Sequence, residues 1–254
     1  QPTVPLLISQ LIKNQNVCLF IALFCECELA IVKRMFYWRG MMSDRYNTHG
    51  NLEGQFQAGS GDLVLANKLD IIDDHEMEGE EYDALLILQQ ALLNEIRVDK
   101  QISVIDLSSW HKRWLGEIYI WAGAYRSVNL FKDDFVFSAA HRIPILMEAF
   151  QKRQLAIHTP CEGMTKSQLI EAMAICHVEF IVIHPYREGN GRLGRLLVTV
   201  MALQANMPLL DFSSIDKEKE KYIQAIQAGH AGNYEPMKTI FSRVIEDSIS
   251  ADGI

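Results

Sequence analysis

Apolar residues recur at helical spacing along most of this chain. Leu85, Leu88, Leu92 and Ile96 fall on one stripe and predict an amphipathic helix over 76–98, and Leu107, Trp110, Trp114 and Ile118 mark a second stripe. The stretch 168–183 is apolar on most positions and reads as a helix. Thr165, with Gln168 three residues later, supplies a capping-box signal just before it. Leu193, Leu196, Leu197, Val200 and Leu203 predict a further helix over 190–206, Ser214 is expected to cap one running to 229, and the last is expected from Tyr234 onward. Between Val128 and Phe137 the pattern changes to short apolar pieces around Lys132, Asp133 and Asp134, which reads as a β-hairpin. The expected fold is therefore mainly α-helical with one small hairpin, and its apolar stripes read as core.

The start of the chain follows a different pattern. Val17 to Cys25 is a nine-residue apolar run, too short to cross a bilayer and followed by Glu26 and Glu28. Residues 1–41 are expected to be an upstream extension outside the functional unit, 42–100 a lead-in with helices (44–61 of it flexible), and 101–250 the catalytic core. With 254 residues and 49% apolar content, the chain can bury one substantial core. The net charge of −8 argues against general nucleic-acid binding, and no membrane association is expected. Five cysteines, without a C-x-x-C pair, read as reduced thiols in a cytoplasmic protein. The spacing of Cys18, Cys25 and Cys27 is not a familiar zinc pattern.

The densest chemistry lies in the run His184-Pro185-Tyr186-Arg187-Glu188-Gly189-Asn190-Gly191-Arg192-Leu193-Gly194-Arg195, where a loop is expected to feed a helix. Pro185 helps to end the preceding helix, and the glycines leave the N–H groups of the next helix start open to an anion. His184 can serve as a base, and Glu188 suits a magnesium ion that also holds phosphate. Arg192 and Arg195, three apart, share a helix face and can grip a polyphosphate. Taken singly, each has an ordinary reading as a helix-end histidine, a dipole carboxylate or a surface arginine. Their joint occurrence at fixed spacing points to a nucleoside triphosphate.

This run resembles the Fic family motif H-P-F-x-[D/E]-G-N-G-R-x-x-R, with Tyr186 in place of phenylalanine. Trp121-Ala122-Gly123-Ala124-Tyr125-Arg126 resembles the family's W-A-G-x-x-R segment, and Leu63 to Leu69 with the acidic stretch after it is similar to the N-terminal part of bacterial members. The resemblance implies a protein adenylyltransferase that uses ATP and Mg2+. His184 would deprotonate a tyrosine, threonine or serine hydroxyl of a target protein. Glu188 would hold the magnesium, while Gly189, Asn190 and Gly191 would form an anion hole in which Asn190 contacts phosphate directly. Arg192 and Arg195 would bind the outer phosphates. The related Doc branch carries lysine where this chain has Gly191, so AMP transfer is implied over phosphate transfer. Another donor, or a non-catalytic nucleotide-binding module, is the alternative.

Further roles follow from the same resemblance. Asn129, Leu130, Phe135 and Phe137 would belong to a flap that registers the target by strand pairing. Tyr222 is a candidate for the adenine pocket, and equally for the core. Members of the family are silenced by a glutamate that pairs with the second motif arginine. Ser242 and Glu246 have the spacing of such an element, although Asp247 stands at its glycine or asparagine position. The other reading is a toxin held by a separate small antitoxin protein.

Overall fold

A computed structural model describes residues 52–132 and 135–252. The cysteines at 18, 25 and 27, the apolar run from Val17 and the extension 1–41 lie outside the described residues.

The described chain is helical apart from one hairpin. Its α-helices are α1 (Asp74–Glu95), α2 (Val104–Leu115), α3 (Ile143–Phe150), α4 (Ala156–His158), α5 (Lys166–Ile183), α6 (Asn190–Gln204), α7 (Ser213–Lys217), α8 (Lys219–His230) and α9 (Glu235–Asp252). The strands β1 (Phe131–Lys132) and β2 (Phe135–Val136) pair antiparallel, with Phe131 opposite Val136.

Helix α5 is the axis of the fold. It buries Leu169, Met173, Cys176, His177, Phe180 and Ile183 among others, on more than one face, because α3, α6, α8 and α9 all pack against it. Thr165 and Gln168 form the expected reciprocal capping box at its start. α6 turns back along it, and Gly194 permits the close approach: a Cβ there would lie 3.1 Å from Ile181 Cδ1. α1 lies on α2, and α2 lies on α6. The core thus runs without a break from Val64 to Ile245.

Three expectations change. α1 begins at Asp74, because the Asp73 carboxylate accepts from the Glu76 N–H at 2.9 Å, and it ends at Glu95, because Ile96 is extended. Ser214 is not a cap. The Asp211 carboxylate accepts from the Ser213 N–H, and a break at Glu218 divides the expected helix into α7 and α8. The part of the lead-in from 52 onward is built into the fold: Phe56 bridges to Leu65, and buried Glu53 accepts from the Ser127 N–H at 2.5 Å.

Candidate active site

The site forms where α5 ends and α6 begins. His184 closes α5 in a left-handed conformation, φ 52°, with its N–H still donating to the Phe180 carbonyl. Pro185 follows, so the helix cannot continue. The His184 Nδ1 lies 3.2 Å from the Ile181 carbonyl. A carbonyl only accepts, so Nδ1 carries the proton and Nε2 the lone pair in the neutral ring. The Phe137 ring stacks on the imidazole at 3.7 Å, which ties the hairpin to His184.

Between the helices, Asn190 acts as a clamp. Its Oδ1 accepts from the Tyr186 N–H at 2.9 Å and its Nδ2 donates to the Tyr186 carbonyl at 2.8 Å. The residue is 2% exposed. The Asn190 side chain thus holds the loop closed across Tyr186, while its main-chain N–H lies in the first turn of α6. Gly189, φ 81°, precedes that turn, and a Cβ there would lie 2.6 Å from Trp114 Cζ3. A Cβ on Gly191 would have no described atom within 4 Å, so this part of the helix start borders open space.

Charged groups converge on this helix start. One Glu188 oxygen accepts from the Gly189 N–H at 2.9 Å and lies 3.7 Å from Arg192 Nη2. Arg192 bonds Glu81 of α1 at 2.7 Å and lies 4.6 Å above the Trp114 ring. Arg195, one turn further along α6, pairs with Asp216 of α7 at 2.7 Å and lies over Phe212. Among the described residues no cluster of three or more His, Cys, Asp or Glu could hold a metal by itself. Magnesium held by one carboxylate would take its remaining ligands from phosphate and water.

The loop rests on partners from distant parts of the chain. Tyr186 is buried, bonds Ser108 at 2.9 Å and stacks on His111 at 4.1 Å. His111 accepts from the Gly123 N–H through Nδ1 at 2.8 Å, so its Nε2–H donates to the Glu188 carbonyl at 3.1 Å. Burial holds this histidine neutral, with its pKa lowered to about 4. Arg126, 2% exposed, donates to the carbonyls of Val128 and Ser138 at 2.6 Å and of His184 at 2.7 Å. Glu81 and His111 fall at helical spacing on the stripes of Leu85 and Leu107, which marks them as buried, but their partners, Asp216 and the anchoring role of Arg126 carry no signal in the sequence.

The peripheral candidates have varied positions. Leu130 is buried and the Asn129 side chain accepts from the Ala140 N–H at 2.9 Å, so both build the base of the hairpin, while Phe135 and Phe137 are half-buried. The Tyr222 hydroxyl lies 2.7 Å from Nε2 of buried His177, and burial pushes its pKa up to about 12. Glu246 bonds Lys166 and Ser242, each at 3.1 Å. It is 60% exposed and takes Lys166 as its cation, while Arg195 takes Asp216, so the structure does not bring Ser242 and Glu246 to the motif.

Residues 101–202 match the Fic/DOC family model. Protein adenylyltransferase Fic of Nematostella vectensis is 28% identical over 178 residues, 67% of this chain and 40% of that protein. Probable protein adenylyltransferase Fic of Escherichia coli K12 is 25% identical over 189 residues, 73% of this chain and 89% of that protein. The chain thus spans less than half of the first relative and most of the second. Among solved structures, the N-terminal Fic domain of an effector from Bartonella sp. AR 15-3 superposes with a TM-score of 0.63 at 23% identity, over 79% of this chain and 94% of that one. BepC of Bartonella tribocorum with bound AMPPNP gives 0.57 at 22% identity, over 71% and 91%. A mainly helical fold with a glycine-flanked loop-to-helix junction defines the class; residues 101–202 of this chain form a domain of the Fic/DOC family.

Proposed function

We propose that this chain is a protein adenylyltransferase that moves AMP from ATP to a hydroxyl side chain of a target protein. The observation that carries the reading is the junction itself: a base, a carboxylate, an open helix start and two arginines are held on one clamped turn between α5 and α6. The names of the adenylyltransferase relatives support it.

In this reading the His184 Nε2 takes the proton of the attacking hydroxyl, and the tautomer favoured by the Ile181 carbonyl suits that role. The hydroxyl oxygen bonds to the α-phosphorus, the bond from that phosphorus to the bridging oxygen breaks, and pyrophosphate departs. The N–H groups at the α6 start and the guanidinium groups of Arg192 and Arg195 stabilise the charge on the phosphates. Tyr222, with its hydroxyl set on His177, would border the adenine side. Mg2+, held by Glu188, would neutralise phosphate charge and orient the α- and β-phosphates. Glu188 fits this ion: it is a hard oxygen donor, 36% exposed, beside the helix start where the phosphates would lie. Target docking would use the main chain of β1 and β2, because strand addition asks little of side chains. A toxin restrained by a separate antitoxin is the setting that the N-terminal resemblance suggests, and the cysteine pattern suits the cytoplasm. The pairing of Glu246 with Lys166 rather than with the motif is in keeping with a restraint from another chain.

The test is to incubate the purified chain with α-labelled ATP, Mg2+ and a bacterial lysate, beside His184→Ala and beside γ-labelled ATP. Protein label is expected from the α position only and should vanish in His184→Ala, while that variant still binds ATP. Label from the γ position alone would make the chain a kinase, and label that survives in His184→Ala would remove the base assigned here.

A further inference from the structure

Glu81 lies far ahead of the motif in sequence, 111 residues before Arg192, and its carboxylate is taken at both ends. Oε1 accepts from the Tyr119 hydroxyl at 2.6 Å and Oε2 accepts from Arg192 Nη2 at 2.7 Å. Its main-chain carbonyl accepts from Trp114 Nε1 at 2.7 Å, and Trp114 is the ring beneath the Arg192 guanidinium. Tyr119 is itself fixed by stacking on Trp121 at 4.4 Å. The side chains of Glu81 and Arg192 are only 9% and 16% exposed, so water screens the pair little. On its other side Arg192 faces Glu188, but at 3.7 Å against 2.7 Å for Glu81.

A guanidinium between two carboxylates moves toward whichever is better placed. Here the better-placed one is Glu81, locked by Tyr119 and by the Trp114 indole. We infer that Glu81 is a positioning residue: by holding Arg192 against Trp114, it keeps the arginine off Glu188 and leaves that carboxylate for a divalent cation. This inference rests on the proposed function, because it takes Glu188 as the cation ligand. Its consequence is opposite to that of a carboxylate that merely neutralises Arg192. Without the Glu81 charge, Arg192 closes on Glu188 through the four-residue spacing on α6 and competes with the metal.

Glu81→Gln in the full chain tests this, with Mn2+ as the probe, titrated by electron paramagnetic resonance in the presence of a non-hydrolysable ATP analogue. Mn2+ is expected to bind the variant about tenfold more weakly, the loss typical of removing an outer partner of a metal ligand. Nucleotide affinity in EDTA should change much less. A crystal structure of the variant should show Arg192 within about 3 Å of Glu188, the usual length of such a pair. In an Arg192→Ala background, Glu81→Gln should leave Mn2+ affinity unchanged, since the arginine through which it acts is gone. Unchanged Mn2+ affinity in the single variant, an arginine that stays put, or an undiminished effect in the double variant would each overturn the role. If Glu81→Gln does not fold, Tyr119→Phe keeps the ring stack and loosens the carboxylate; Mn2+ binding weaker by about threefold supports the role and wild-type binding refutes it. A wild-type chain that takes up no Mn2+ with the analogue sinks the proposed function itself, an outcome distinct from failure of the variants alone.

Discussion

The residues that prepare this site are buried and neutral as often as they are charged. His111 is the clearest case. It has no exposed surface, accepts one main-chain hydrogen bond and donates another, and its pKa falls from 6.5 to about 4 because burial disfavours the imidazolium. His177, buried under Tyr222, is lowered to about 4 for the same reason. The unfolded chain takes up these protons near pH 6.5 and the folded chain does not until about pH 4, so folding stability falls as pH is lowered through that window. The loss from His111 should be on the order of 3 kcal/mol. Urea unfolding between pH 7 and 4 should show a steeper decline for the wild type than for His111→Gln, which keeps a side-chain donor and cannot titrate. Parallel curves would mean that His111 is already charged in the fold. Only part of this is legible in the sequence. His111 stands four residues after Leu107 and three before Trp114, so spacing puts it on the apolar face of α2; its polar partners, the stacked Tyr186, the Gly123 N–H and the Glu188 carbonyl, lie elsewhere in the chain.

At the scale of elements, the α5–loop–α6 hairpin works because side chains are missing where backbones and rings must meet. Gly189 combines a positive φ with a ring edge at 2.6 Å from its absent Cβ, so Gly189→Ala incurs both the left-handed penalty and a clash with Trp114. It should destabilise the chain by about 2–4 kcal/mol and, by lifting the ring from under Arg192, weaken the proposed ATP binding as well. Gly191→Ala, which meets no described atom within 4 Å, should shift stability by less than about 1 kcal/mol. Thermal unfolding of the two variants side by side measures the difference. Helix existence and the run 184–195 are legible in the sequence because periodicity and motif are local signals. Helix ends are not, where one side chain decides them, as Asp73 does for α1.

At the scale of the whole molecule, contacts that reach furthest along the chain are the least legible. Glu81 and Arg192 are 111 residues apart, and Arg126 and His184 are 58 apart. No pattern within a window of either stretch announces such a pairing; the topology makes it, by laying α1 on α2 and α2 on α6. The C-terminal helix gives the converse lesson. Ser242 and Glu246 have the spacing of an inhibitory element, yet α9 runs beside α5 so that Glu246 meets Lys166 at the end of α5 opposite His184. Glu246→Gly should therefore leave the rate of the proposed AMP transfer within about a factor of two of the wild type, because an exposed ion pair at the far end of α5 contributes little. A large gain in that assay would show that α9 reaches the motif in another conformation.

Arg126 joins these scales. One buried guanidinium gathers the carbonyl of His184 and those of Val128 and Ser138, which flank the hairpin on either side. The ruler against which an incoming strand would be aligned and the base that would deprotonate its hydroxyl are therefore pinned to the same point. Registration error between them is limited by three short hydrogen bonds to a single planar group, rather than accumulated through the long stretch of chain that separates Ser138 from His184.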